Sequence, residues 1–131
     1  MNLQLPLTKK WFEMTELGIK PEDYREINDY WCRRFLLLKY DLEPLVWNEL
    51  IEDLANTNRK YRDIEDCMLE FGVRFKNFDF NIMTLGYPKS TDKSRILKLE
   101  HAGIEIRTGN PDWGAEPEKL YFVIKHGKII L

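Results

Sequence analysis

The sequence predicts an α+β domain built around a small, partly closed barrel, and three observations carry that expectation. The first half reads mainly as helices. From Val73 onward the chain reads as strands separated by Gly, Pro, Asn and Asp turns, and the first half still contributes two strands of its own. A chain of 131 residues is sized for one hydrophobic core, because a second would be too small to hold itself together. A single domain over residues 1–131 is expected, with a helical insertion over 41–71.

Residues 2–7 alternate as Asn, Leu, Gln, Leu, Pro, Leu, the period-two pattern of a strand with one buried face, and Pro6 places that strand at an edge or an end. Thr8 then stands where a helix N-cap is needed, Trp11, Phe12, Thr15 and Leu17 line the helix, and Gly18 falls where a left-handed C-terminal residue is expected. Pro21 disfavours helix before it, and Tyr24 to Ile27 suits a short strand. Asp29 is placed to cap a short helix carrying Tyr30, Trp31, Arg33, Arg34 and Phe35. Asp41 and Pro44 open a longer helix with Leu42, Val46, Leu50 and Leu54 spaced by four. After a break at Asn56-Thr57-Asn58, the stripe resumes with Tyr61, Ile64, Met68 and Phe71. The strand-bearing half comprises Arg74 to Leu85, Arg95 to Leu99, Gly103 to Arg107 and Leu120 to Ile130.

Composition narrows the function classes. Hydrophobic residues make up 44% of the chain and aromatics 13%, enough apolar area to offset the entropy of ordering. The apolar runs Phe35 to Leu38 and Leu120 to Ile124 fall far short of the roughly 18 residues a membrane span needs, so no membrane partner is expected. Cys32 and Cys67 show neither zinc spacing nor a disulfide framework. Free thiols in a reducing, cytoplasmic setting are expected, with no metal and no cofactor. The net charge of -2 is not that of an electrostatic nucleic-acid binder. Its distribution is uneven: residues 41–70 carry nine acidic and three basic side chains, whereas residues 71–131 carry seven and ten. If the acidic segment forms a helical layer with its carboxylates in water, the rest is mildly basic and suited to a polyanion.

The residues with most chemical content lie between Gly18 and Glu26. On a strand, Asp23 and Arg25 point to one face, and Lys20 reaches that face from the preceding turn. Two cations and a carboxylate together can hold a phosphate or a carbonyl oxygen, the carboxylate orienting them or accepting a base N–H. The same spacing also suits a structural ion pair at a barrel rim. Trp31 and Trp113 can offer stacking surfaces for a base, or simply pack in the core. Lys89 and Lys93 lie with Ser90, Thr91, Ser94 and Arg95 in a polar loop that reads as an exposed turn and as the best local basic patch. His101 in Glu100-His101-Ala102-Gly103 and His126 in Lys125-His126-Gly127-Lys128 both read as turn residues without a catalytic role.

The run Gly18-Ile19-Lys20-Pro21-Glu22-Asp23-Tyr24-Arg25-Glu26 resembles the Gly-x-Lys-x-x-Glu-x-Arg signature of the ASCH domain family, with Asp23 in place of the Glu. The resemblance extends through Leu3 to Phe12 before it and Tyr30-Trp31 with Arg34 after it. It resumes in Trp113-Gly114-Ala115-Glu116-Pro117 and Tyr121-Phe122-Val123-Ile124-Lys125. The chain resembles a small stand-alone member of the prokaryotic or phage type, while its middle helices match nothing in the pattern.

This resemblance implies a PUA-like β-barrel with flanking helices and an RNA or nucleoside ligand at its polar mouth. Lys10, Lys20, Arg25, Trp31, Arg34, Lys89, Lys93 and Trp113 would be the binding residues, with Lys20 and Asp23 as candidates for chemistry. Certain ASCH members are amidohydrolases that deacylate acetylcytidine, and others are reported as ribonucleases. In the amidohydrolases a Thr stands at the position of Asp23, activated by the motif Lys. A carboxylate beside Lys20 tightens the lysine's proton, which favours binding or oxyanion stabilisation over general-base work by the amine, although a carboxylate can itself activate water. An interaction subunit using the acidic helices is the third expectation.

Overall fold

The computed structural model describes residues 1–56 and 63–131. Tyr61 and the Thr57-Asn58 part of the expected break lie outside the described residues. The order of elements is β1 (Leu3–Leu7), α1 (Lys9–Glu16), β2 (Glu22–Arg25), α2 (Asp29–Phe35), β3 (Leu36–Leu38), α3 (Pro44–Ala55), α4 (Ile64–Phe71), β4 (Val73–Phe75), β5 (Phe80–Leu85), β6 (Ile96–Thr108) and β7 (Leu120–Ile129). The fold is mixed α+β. Five strands form one sheet in the order β1-β5-β6-β7-β2, and β3 pairs with β4 in a second, antiparallel one. The chain divides into two compact units: a first of residues 1–23, 77–104 and 124–131, and a second of residues 24–76 and 105–123.

In the first unit, β1 runs parallel to β5 with Leu3 opposite Asn81 and Leu5 opposite Met83, and β5 runs antiparallel to β6 with Asn81 opposite Leu99. The alternation seen in the sequence is the alternation of burial: Leu3, Leu5 and Leu7 are buried, Gln4 is exposed and Pro6 is half-buried. Pro6 is tolerated because β1 is an edge strand.

The end of α1 determines where the next residues go. Gly18 adopts φ +76, its N–H bonds the Thr15 carbonyl at 3.1 Å, and the Ile19 N–H bonds the Met14 carbonyl at 2.9 Å. These two bonds form a Schellman motif, which closes the helix and turns the chain sharply back. The Lys20 N–H adds a third bond, to the Met14 carbonyl at 3.2 Å, so the lysine backbone is fixed to the end of the helix.

In the second unit α2 is capped by the Asn28 side chain, which accepts from the Trp31 N–H at 2.9 Å. Asp29, expected as the cap, is instead the first helical residue and pairs with Arg33. Pro44 opens α3, as its missing N–H permits. Trp47, Leu50 and Leu54 of α3 and Cys67, Met68 and Phe71 of α4 are buried. Phe35 and Phe75 each meet Phe122 edge-on, at centroid distances of 5.1 and 6.2 Å. Tyr24 packs on Tyr121, Ala115 and Val123. Both cysteines are free and buried, and burial pushes the Cys32 thiol up to about 12. No described helix is long and apolar enough to cross a membrane.

Four expectations are corrected in detail. The strand at β2 begins at Glu22 and ends at Arg25, earlier than Tyr24 to Ile27. Leu36–Leu38 forms a strand of its own. Arg74 to Leu85 is two strands, β4 and β5, with Lys76–Asp79 between them. The two strands expected around a turn at 100–103 are one continuous strand, β6, which accommodates Gly103 at φ +111.

Gly18 has no heavy atom within 4 Å of a Cβ built on it, so its role is conformational. Gly18→Ala is expected to cost about 1–2 kcal/mol, the penalty of a Cβ in the left-handed region. A urea denaturation should show a lower midpoint at unchanged slope. An unshifted midpoint would mean that the helix end does not depend on this residue.

Candidate functional site

The centre of the first unit holds a chain of polar side chains that the apolar pattern does not explain. Lys20 and Asp23 are 3% and 1% exposed, and the lysine ammonium donates directly to Asp23 Oδ1. The other carboxylate oxygen, Oδ2, lies 2.6 Å from His126 Nε2. His126 Nδ1 is 2.8 Å from the Asn81 amide nitrogen, which also donates to the Lys125 carbonyl at 3.2 Å. Asn81 Oδ1 in turn lies 2.7 Å from His101 Nδ1. Five side chains from the α1–β2 turn and from β2, β5, β6 and β7 are thus joined end to end.

Strand periodicity puts them there. Asn81 is two residues from buried Met83 on β5, His101 two from buried Leu99 on β6, and His126 two from buried Ile124 on β7. Each polar residue therefore occupies an inward position in a row of apolar ones. The His126 backbone N–H also bonds the Pro21 carbonyl at 3.0 Å, which brings β7 alongside the segment leading into β2.

The electrostatics follow from burial and pairing. Burial pushes the Asp23 carboxyl up, but the hydrogen bond from His126 and the positive charge of Lys20 outweigh it, so its pKa lies below the ordinary value. For His101, burial lowers the pKa, with His126 and Lys125 adding to the effect, so the ring is neutral at pH 7. Trp11 lies over this corner: its ring centroid is 5.6 Å from the Lys20 ammonium and 4.6 Å from that of Lys10.

The second unit holds a different cluster. The Arg25 guanidinium lies 5.3 Å from the Trp31 ring and that of Arg34 lies 5.5 Å from the same ring. Arg34 also donates to the Tyr30 hydroxyl at 3.0 Å, and Trp31 stacks on buried Phe35 at 5.3 Å. Arg25 further donates to the Tyr24 carbonyl at 2.8 Å.

No family model, curated protein or solved structure matches the chain.

The candidate residues from the sequence thus fall into separate groups. Lys20 and Asp23 meet, with Lys10 nearby on Trp11. Arg25 lies on the Trp31 ring, as Arg34 does, and donates to the Tyr24 carbonyl. Lys89 and Lys93 are exposed in the β5–β6 loop, where Ser94 donates to Asp92 at 2.6 Å and Arg95 to the Leu85 carbonyl at 2.9 Å. Trp113 is half-buried in the turn Pro111–Trp113.

The turn reading of both histidines is overturned. His101 lies within β6 and His126 within β7, because strand pairing extends the backbone through Gly103 and Gly127. Asn81 and Trp11 were not among the expected site residues. The signal for Asn81 was its phase with Met83 in a strand otherwise built of apolar inward positions.

Replacing Asp23 by Asn removes the carboxylate that the buried Lys20 ammonium donates to, and Asp23→Asn is expected to destabilise the fold at pH 7 by about 3–5 kcal/mol. Because the folded pKa is lowered, the carboxylate's contribution is present above its unfolded value and is lost as pH falls through the folded one. Urea unfolding of both proteins at stepwise lower pH should show the gap closing below the ordinary carboxylate range. A gap independent of pH would remove the charge from the explanation.

Proposed function

We propose that the chain is an RNA- or nucleoside-binding domain of the ASCH kind, with a partly closed, PUA-like barrel. The observation that carries this reading is Trp31, flanked by the guanidinium groups of Arg25 and Arg34 within 5.5 Å and backed by Phe35. Guanidinium planes and aromatic rings both stack on bases, and the two guanidinium groups also supply charge for the phosphates beside a bound base. The overall charge of -2 is compatible with this, because affinity depends on the local cluster. The motif residues Lys20 and Asp23 support the reading by being charged and buried, a placement that commonly marks functional sites. In the first unit, the exposed cations Lys89 and Lys93 offer phosphate contacts of their own.

A second reading, hydrolysis of an acylated nucleoside or of RNA, is favoured by the Asn81–His101 contact, since an imidazole oriented through Nδ1 by a side-chain amide is a recurrent arrangement in hydrolases. Lys20 has its ammonium committed to Asp23, which suits it to hold charge and not to remove a proton.

An NMR titration at low salt with cytidine, acetylcytidine and short single-stranded RNA tests both readings. Shifts should cluster at Arg25, Trp31 and Arg34. Trp31→Ala should weaken RNA binding by about 1–3 kcal/mol, the worth of one stacked base, and Arg34→Gln should reduce the slope of log affinity against log salt by about one. Release of acetate in the same tubes would bring in the second reading. No shift with any ligand at low salt would eliminate binding at this cluster.

A further inference from the structure

The hydrogen-bond chain in the first unit contains enough information to assign the proton on each imidazole. Asn81 is the reference point. One of its amide contacts is the Lys125 carbonyl, which can only accept, so the group facing it at 3.2 Å must be the NH2. The same NH2 faces His126 Nδ1 at 2.8 Å, so Nδ1 is an acceptor and carries no proton. The His126 proton is therefore on Nε2, where it is donated to Asp23 Oδ2 at 2.6 Å. At the other end of the amide, Asn81 Oδ1 faces His101 Nδ1 at 2.7 Å, so that nitrogen must be the donor. The two histidines are locked in opposite tautomers, and the lock is the orientation of a single amide.

The locking leaves one nitrogen without a partner among the described residues. Both ring nitrogens of His126 are engaged, and its side chain is 2% exposed. The bonds of His101 are those of Nδ1 to Asn81 and of its backbone N–H to the Asp79 carbonyl. Among the described residues no buried side-chain polar atom lacks a partner, so His101 Nε2 opens to solvent.

We propose that His101 Nε2 is a reactive acceptor site: a neutral, solvent-reachable imidazole nitrogen, held by Asn81 with its lone pair available to an O–H or N–H donor or to a carbonyl electrophile. The lowered pKa of the ring supports this, since the lone pair is then available at pH 7. The groups facing it are the Asn81 amide from β5, His126 and Lys125 from β7 and the Phe78 ring, whose centroid is 5.4 Å away. This proposal is independent of RNA binding by the second unit.

Two measurements on the wild-type protein test it. The chain has only two histidines, so long-range 1H–15N spectra of the rings can be read directly, with His101→Gln to assign them. His126 should show a pyrrole-like Nε2 and a pyridine-like Nδ1, and His101 the reverse. The same tautomer in both rings, or a doubly protonated His126 at pH 7, would overturn the assignment.

The second measurement is acylation by diethyl pyrocarbonate. The Nε2 lone pair attacks one carbonyl carbon and an N–C bond forms. The bond from that carbon to the bridging oxygen breaks, and ethyl carbonate leaves and takes up the Nδ1 proton, decomposing to ethanol and carbon dioxide. Peptide mass spectrometry should find His101 modified and His126 unmodified in the folded protein, with both modified in urea. An inert His101, or equal labelling of the two in the folded state, would refute the proposal. Asn81→Leu, where it folds, should abolish the tautomer difference. Retention of opposite tautomers in that variant would show that the amide is not the lock.

Discussion

Two opposite charges removed from water together constrain the first unit more than any apolar contact. The Lys20 ammonium and the Asp23 carboxylate each lose several kcal/mol of hydration on burial, and only close pairing with the remaining hydrogen-bond capacity filled can offset that. Each neighbouring element can be understood as meeting this demand. The Schellman end of α1 ties the Lys20 backbone to the Met14 carbonyl, so the side chain departs from a fixed point. The strand β2 places Asp23 three residues later, and β7 brings His126 to the carboxylate's second oxygen. Asn81 then satisfies His126, and His101 satisfies Asn81. The sequence of partners ends where water can take over, which is why the chain of bonds runs to a half-buried residue.

The parts of the fold decided by local chemistry were legible. Leucines at period two gave away β1, Gly18 marked the end of α1 where only a left-handed residue would serve, and the apolar residues Val46, Leu50 and Leu54 spaced by four announced α3. Lys20 and Asp23 were legible as a pair because three residues separate them. The histidines were not, because local and tertiary signals conflict there. Glycine beside a charged residue favours a turn when only neighbours in sequence are considered. At Gly103 it instead supplies the φ of +111 that β6 adopts there, and at Gly127 it permits a strand to pass close to another side chain: a Cβ on Gly127 would sit 2.9 Å from that of Glu100. Asn81 was hidden for a related reason, since its meaning depends on partners 20 and 45 residues away.

The two units solve the problem of placing polar groups differently. Around Trp31 the cations lie over aromatic faces on half-buried or exposed side chains, an arrangement that tolerates solvent and leaves charge available to a polyanion. Around Asp23 the charges are almost fully enclosed and each has a directed partner. The first arrangement suits recognition without strong sequence preference, as stacking and phosphate contacts do. The second is rigid and directional, which suits holding a proton in a defined place.

The aspartate itself accounts for where reactivity can reside. A hydroxyl at position 23 would need Lys20 to give up its proton, whereas a carboxylate there engages the ammonium as a donor and leaves it no lone pair to offer. The same carboxylate accepts a hydrogen bond from the Nε2–H of His126, and Asn81 donates to the other nitrogen, so that imidazole has no lone pair free to present either. The hydrogen-bond polarity then passes through the amide and emerges at His101, where donation from Nδ1 leaves Nε2 as the basic end of the chain. A negative charge buried at one end thus favours a proton acceptor at the other. Any chemistry in the first unit that calls for a base at neutral pH is therefore directed to β6 and away from the motif lysine.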